Sequence, residues 1–125
     1  MDALEPADAV LWLTDITLSR AEIKVEVSTP PYDCGRHRAT GRAYAKYVLS
    51  DDDGWKGVAA FFRRHGEAIR RLIASGAIGA ATLDVAFLFP ADRISRSAQI
   101  PADVAAVVGA SGVSLVISAY PSDGS

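Results

Sequence analysis

The stretch Trp55-Lys-Gly-Val-Ala-Ala-Phe-Phe-Arg-Arg-His-Gly-Glu-Ala-Ile-Arg-Arg-Leu72 decides the fold, because it holds the longest regular pattern of apolar residues. Apolar side chains recur there at steps of three and four, which places them on one side of a helix of about five turns. Ser50-Asp-Asp-Asp-Gly54 offers oxygens to the free amides at the helix start, and Ser75-Gly76 supplies a C-terminal stop. The sequence therefore predicts a long amphipathic helix whose buried stripe is Trp55, Val58, Phe62, His65, Ile69 and Leu72.

Five stretches on either side of this helix have the length and side-chain pattern of β-strands. Residues 21–28 alternate strictly between apolar and polar side chains, which is typical of a strand with one wet face. A short helix is expected over residues 101–108, because a proline fits the first helical turn. The predicted strands are residues 9–15, 21–28, 42–49, 81–89 and 113–120.

The order strand, strand, strand, long helix, strand, short helix, strand excludes a helix bundle and an all-β sandwich. It predicts an α+β fold: a two-layer sandwich with one long and one short helix on one face of a sheet. The sheet is expected to be mostly antiparallel or mixed, with about five strands. The 125 residues fit one domain, which we place at residues 1–121, with 122–125 as a flexible C-terminal tail.

Composition and charge exclude several classes of protein. Thirteen lysines and arginines against 15 aspartates and glutamates give a formal net charge of −2, which argues against a nucleic-acid partner. The N-terminus is acidic and no apolar stretch is long enough to cross a membrane, so we expect a cytoplasmic protein without a membrane partner. The single cysteine, Cys34, and the Asp51-Asp52-Asp53-Gly54 run do not match zinc or calcium spacings, so neither a metal nor a cofactor is predicted.

Reactive residue types cluster in the predicted loop of residues 30–42. Cys34, His37 and Asp33 are the types that a nucleophile, its base and an orienting group require. The loop arginines offer a different possibility, since guanidinium groups suit carboxylates and phosphates. A solvated loop with weak ion pairs is the third alternative. The candidate ligand-binding residues are Asp33, Cys34, Arg36, His37, Arg38 and Arg42, and none of them is assigned a catalytic role.

Two arginine pairs lie on the polar side of the long helix, opposite its apolar stripe. Their spacing of seven residues places them as two bands on one surface, which we interpret as solvated or facing a partner. His65 lies on the apolar stripe and is expected to be a hydrogen-bonded packing residue. The candidate partner surface is Arg63, Arg64, Arg70 and Arg71.

The second half of the chain resembles a family of small bacterial proteins. The run Phe61-Phe-Arg-Arg-His-Gly-Glu-Ala-Ile-Arg-Arg-Leu-Ile-Ala-Ser-Gly76, the strand Thr82-Leu-Asp-Val-Ala-Phe-Leu-Phe89 and the Gln99-Ile-Pro start of the last helix carry the likeness. They are similar to domain-of-unknown-function family 4279, whose members pair a long helix with a strand, a short helix and a final strand that ends near a tyrosine. The resemblance implies this fold and a bacterial setting, and it brings no established activity.

These observations predict a non-enzymatic binding or interaction protein, with the immunity or regulatory partner of another bacterial protein as its concrete form. The alternative is a small enzyme or a binder of anionic ligands that uses the loop of residues 30–42. Homodimerisation through an exposed sheet face or edge is compatible with both.

Overall fold

The computed structural model describes residues 6–49, 54–90 and 99–122. One five-stranded mixed sheet and three helices form an α+β sandwich, which confirms the predicted fold class. The elements are β1 (Asp8–Ile16), α1 (Arg20–Val27), β2 (Asp33–Arg36), β3 (Ala43–Val48), α2 (Gly54–Ala74), β4 (Ile78–Pro90), α3 (Ala102–Ala110) and β5 (Ser114–Ser122).

The five strands form one mixed sheet in the order β2-β3-β1-β4-β5. The pairs β2–β3, β3–β1 and β1–β4 are antiparallel, and the pair β4–β5 is parallel. Elements β1 to β4 follow the split β-α-β plan, in which each pair of parallel strands joined through a helix has one antiparallel strand between them. The connection from β4 to β5 is a crossover through α3, as a parallel pair requires.

The core lies between one face of the sheet and the helices. Alternate residues of β1 and β4, such as Leu11, Leu83 and Phe87, are fully buried there. The stripe predicted for α2 is confirmed: Phe62 and the other predicted residues are buried, and only Leu72, at the helix end, is half-buried. Strand sides and helix stripe therefore form a single hydrophobic cluster.

His65 is the buried polar residue of this stripe. Its Nδ1 donates to the carbonyl oxygen of Val27, 2.7 Å away, and its ring lies 4.9 Å from that of Phe61. Because Val27 is the last residue of α1, this hydrogen bond joins α1 to α2. His65 is thus a hydrogen-bonded packing residue, as its place on the stripe suggests.

The strand predicted over residues 21–28 is wrong, because these residues form helix α1. The apolar residues Ile23, Val25 and Val27 satisfy a period of two, but Ile23 and Val27 are also four apart and share one side of a helix. Only those two are buried, whereas Val25 is 74% exposed. Ser19 caps the helix in a reciprocal capping box with Glu22, which lowers the pKa of Glu22.

The other predicted elements are present with shifted bounds. The predicted loop of residues 30–42 is wrong in part, since it contains strand β2, which pairs with β3 as a hairpin. Strand β4 begins three residues earlier than expected, and β5 extends to Ser122. The predicted helix cap at 50–53 and the tail residues 123–125 lie outside the described residues.

The second face of the sheet, which we call the open face, is not covered by α1, α2 or α3. Its side chains alternate with the buried ones along every strand. None of these three helices is long and apolar enough to cross a membrane. The open face carries Val10, Trp12 and Thr14 of β1, Tyr44, Lys46 and Val48 of β3, Asp33 of β2, Thr82, Asp84, Ala86 and Leu88 of β4, and Val116, Ser118 and Tyr120 of β5.

Gly66 sets how closely α2 approaches the end of α3. A Cβ atom at this position would come within 2.2 Å of Ser111 Oγ, whereas at Gly109 nothing lies within 4 Å. We expect Gly66→Ala to destabilise the fold by about 1–3 kcal/mol, the usual cost of overpacking. Gly109→Ala should stabilise it by up to ~1 kcal/mol, because alanine favours a helix interior. Urea unfolding followed by circular dichroism measures both, and equal effects of the two substitutions would contradict this packing.

Candidate functional site

The β2–β3 hairpin is held by its own backbone and by one arginine. His37 N–H donates to the Arg42 carbonyl oxygen at 2.8 Å, and Gly41 N–H donates to the His37 carbonyl oxygen at 2.7 Å. Gly41 adopts a φ of 70°, in the left-handed region that favours glycine. Arg36 Nη1 then donates to the Gly41 carbonyl oxygen at 2.9 Å. The hairpin therefore has a defined shape, although its side chains are exposed.

A cavity of about 540 Å³ lies where this hairpin meets the open face of the central strands. Four of the six candidate loop residues line it. These are Arg36, His37, Arg38 and Arg42, and the structure brings them together with Trp12, Thr14 and Tyr44 of β1 and β3. The cavity thus combines cationic side chains from the hairpin with aromatic rings from the sheet.

Two of the three guanidinium groups have partners around the cavity. Arg42 Nη1 lies 3.4 Å from Asp15 Oδ2 in an ion pair whose two side chains are both partly exposed. Arg36 is engaged with the Gly41 carbonyl oxygen, which is uncharged and leaves the guanidinium charge unopposed there. The His37 Nδ1 accepts from the Ala39 N–H at 3.3 Å. The cavity wall therefore carries a net positive charge that an anion would complement.

The aromatic side of the cavity is formed by rings on two neighbouring central strands. The Trp12 and Tyr44 ring centroids are 5.7 Å apart and their planes are tilted by 56°. Tyr44 donates its phenolic hydrogen to Asp33 Oδ2 at 3.2 Å, which links this ring to β2. The pKa of Tyr44 is raised above its ordinary value, chiefly by that hydrogen bond and by repulsion from the Asp33 carboxylate.

The remaining candidate residue, Cys34, lies on the helix side of β2, packed against the core. Its Sγ is 3.7 Å from Arg20 Nη1, and Arg20 also donates to the Pro31 carbonyl oxygen. Asp33, one residue earlier, projects to the opposite face of the sheet. The structure therefore places Cys34 with Arg20, Asp33 with Tyr44 and His37 with the hairpin, in three different surroundings.

The aromatic half of the cavity could not be recognised in the sequence. Trp12 lies in a run of four apolar residues, 10–13, whose pattern is that of a strand buried on both faces. Successive side chains of a strand point to opposite faces of the sheet. Leu11 and Leu13 are buried on the helix side, so Trp12 between them lies on the open face, and this alternation is the signal that could have identified its face. Lys46 Nζ was missed too, and it lies 5.2 Å from the Trp12 ring centroid and 5.4 Å from that of Tyr32.

The candidate partner surface on α2 lies apart from this cavity, and its four arginines are exposed. Arg63 pairs with Asp103 of α3 at 3.4 Å. Arg70 donates two hydrogen bonds to Glu67, at 2.6 and 3.0 Å, which lower the pKa of Glu67 and raise that of Arg70. Exposed pairs of this kind contribute little to stability. Arg64 and Arg71 complete the two bands.

Two other cavities are formed by the described residues. One, of about 500 Å³, lies between α2 and the start of α3 and includes Arg63 and Asp103, which already pair with each other. The other, of about 560 Å³, is bordered by Pro30, Pro31, Tyr47 and Phe61 and carries no charged side chain. Among the residues that the structure places, no group of three or more histidines, cysteines, aspartates or glutamates could hold a metal ion.

Comparison with known proteins adds no family and no function. No family model matches the chain, and neither a curated protein nor a solved structure matches it. The resemblance to domain-of-unknown-function family 4279 therefore stays a prediction. What the protein binds must be argued from the chemistry of the hairpin cavity and the surfaces around it.

The hydrogen bond between Tyr44 and Asp33 should be detectable through the pKa of Tyr44. Because the folded pKa of Tyr44 is raised, the bond stabilises the fold below the ordinary tyrosine pKa near 10, and this contribution is lost as the pH rises through the folded value. Asp33→Asn should lower the pKa of Tyr44 toward its ordinary value. NMR titration of the tyrosine ring carbons measures this change. Tyr47 is the internal control, since burial is the main cause of its raised pKa, and an unchanged Tyr44 would contradict the assignment.

Proposed function

We propose that this is a non-enzymatic binding protein whose site is the hairpin cavity and whose ligand carries an anionic group on a planar or apolar body. The observation that supports this proposal is the meeting of Arg36, Arg38 and Arg42 with the Trp12 and Tyr44 rings around one cavity of about 540 Å³. Guanidinium groups suit carboxylate and phosphate oxygens, and aromatic faces suit the flat part of a ligand. We place this activity in the cytoplasm of a bacterial cell, as the sequence analysis expects.

The surroundings of the reactive side chains favour binding over catalysis. A cysteine nucleophile requires a base within hydrogen-bond reach. The partner of Cys34 Sγ is the Arg20 guanidinium, which has no proton-accepting nitrogen, and the His37 ring nitrogen Nδ1 is engaged with the backbone of Ala39. The arrangement supports a site that holds an anion without transforming it.

The immunity or regulatory partner of another bacterial protein is the second candidate function. It is favoured by exposed apolar side chains at the β4–β5 end of the open face, namely Leu88, Val116 and Tyr120, together with the arginine bands of α2. Exposed apolar side chains on an uncovered sheet face can take part in protein–protein contacts, including contacts with a second copy of the chain. Light scattering at several protein concentrations would detect a homodimer directly.

Anions should stabilise the folded protein if the cavity binds them. At a pyrophosphate concentration of ten times Kd, mass action adds about 1.4 kcal/mol to the free energy of unfolding, which for a domain of this size raises the Tm by about 4 °C. Differential scanning fluorimetry at constant ionic strength, with chloride as the reference anion, measures this shift. Replacing all three cavity arginines, in the variant R36Q/R38Q/R42Q, should abolish it.

The matched control is R63Q/R64Q/R71Q, which removes the same number of charges from α2. This variant should keep the stabilisation by pyrophosphate, because its substitutions lie outside the cavity. Equal losses in the two triple variants would mean that pyrophosphate responds only to overall charge. That result, or no stabilisation of the unmodified protein, would overturn the proposed anion site.

A further inference from the structure

We infer that the anionic ligand is single-stranded nucleic acid, with phosphates at the hairpin arginines and unpaired bases on the aromatic rings of the open face. The inference rests on the proposed function and names the ligand class of the same site. It uses residues beyond the cavity, Lys46 and Tyr32, which the proposed function leaves without a role.

The first step is the position of the rings on the sheet. Trp12 of β1 and Tyr44 of β3 lie diagonally across two neighbouring central strands, since the register pairs Trp12 with Lys46 and Thr14 with Tyr44. Their centroids are 5.7 Å apart on a face that the helices leave uncovered. Proteins that recognise single strands stack unpaired bases on aromatic side chains of such a sheet face. Two adjacent rings are therefore placed as a platform for bases.

The second step is the alternation of cations with rings. Lys46 Nζ lies over two aromatic rings, 5.2 Å from the centroid of Trp12 and 5.4 Å from that of Tyr32. Tyr32, just before β2, is 70% exposed and extends the aromatic path to the sheet edge. Arg36, Arg38 and Arg42 stand at the hairpin end of the same path. Phosphates recur along a strand at every nucleotide, so alternating cations and rings fit it better than they fit a small anion.

The third step concerns the carboxylates nearest to these cations. Asp33 accepts the hydrogen bond from Tyr44, and Asp15 is paired with Arg42. Farther along the open face, Asp84 accepts from Ser118 of β5 at 2.8 Å, and its charge limits the favourable path to the β1, β3 and β2 side. The formal charge of the whole chain, −2, therefore does not describe this surface. A local cationic path of this size predicts moderate affinity with a clear dependence on salt.

The half-buried rings of Trp12 and Tyr44 also indicate which form of nucleic acid fits. A duplex keeps its bases stacked on each other, so their faces cannot reach Trp12 or Tyr44. A single free nucleotide offers one base, whereas the platform holds the two rings of Trp12 and Tyr44, with Tyr32 beside them at the sheet edge. An oligonucleotide should consequently bind much more tightly than the corresponding mononucleotide.

The test uses the full chain and two unstructured probes, fluorescein-labelled ribo-U10 and dT10, followed by fluorescence anisotropy. Trp12→Ala and Tyr44→Ala should each weaken binding about tenfold or more, since base stacking on one ring is worth that much. Tyr120→Ala is the matched control, because it removes an exposed aromatic ring from the distant β5 end of the same face. It should bind like the unmodified protein. Binding of U10, dT10 or both supports the inference.

Two further readouts do not depend on how well those variants fold. U10 should quench tryptophan emission of the unmodified protein, because Trp12 is half-buried on the open face whereas Trp55 is 4% exposed. Each phosphate contact to a single strand contributes about 0.7 to the slope of log K against log salt. The magnitude of this slope should therefore be smaller by about 2 in R36Q/R38Q/R42Q, which removes three contacts. Free UMP should leave the tryptophan emission unchanged at concentrations where U10 saturates.

Three results would overturn the inference. Binding of U10 that is unchanged in both ring variants would show electrostatic adsorption alone, and UMP binding as tightly as U10 would show a mononucleotide site. The third is the absence of oligonucleotide binding while pyrophosphate still stabilises the protein. That result removes the nucleic-acid ligand and leaves the anion site in place, whereas failure with both pyrophosphate and U10 removes the proposed function as well.

Discussion

The packing of α2 on one face of the sheet is the constraint on which the rest of the structure depends. Phe62 and Ile69 of α2 are buried against the same side of the sheet as Leu11 and Leu83, and the Trp55 ring lies 5.9 Å from that of Phe87. Each large apolar side chain buried in this layer contributes about 1.5–3 kcal/mol. Crossovers between parallel strands are right-handed, and those from β1 to β2 and from β3 to β4 run in opposite directions across the sheet between oppositely directed strands, so their helices lie on the same side. Three helices on one face leave the other face available for a ligand or partner.

Elements whose pattern fits a single period could be predicted from the sequence, and α1 could not. The stripe of α2 repeats over five turns, and β4 alternates over most of its length, so neither pattern has a competing interpretation. In α1 the eight residues are too few to separate periods of 2 and 3.6, because Ile23 and Val27 satisfy both. The deciding information lies in the capping box of Ser19 and Glu22 and in the exposure of Val25, which tertiary packing fixes.

The arginines of the candidate site could be predicted from the sequence, whereas its aromatic residues could not. Arginines cluster within a few residues of each other in the hairpin, so sequence proximity alone brings Arg36, Arg38 and Arg42 together. Trp12 is 24 residues before Arg36, and it reaches the same cavity only through the pairing of β1 with β3 and of β3 with β2. The pairing of β1 with β3 joins strands about 30 residues apart, so the local pattern of neither strand specifies that they are neighbours. A single-sequence analysis therefore finds the cationic half of such a site and misses the aromatic half.

The end of β1 shows how the fold positions the hairpin beside the open face. Asp15 adopts a φ of 53°, a left-handed conformation that costs a residue with a side chain about 1 kcal/mol. The neighbouring strand accommodates it with Gly79, where a Cβ atom would come within 2.7 Å of Asp15 Cβ. The strained residue carries the carboxylate that pairs with Arg42, one of the residues that line the cavity. Because an exposed ion pair adds little stability, the pair of Asp15 with Arg42 cannot offset much of this backbone strain, and the packing of β1 against β4 at Gly79 must hold the conformation instead.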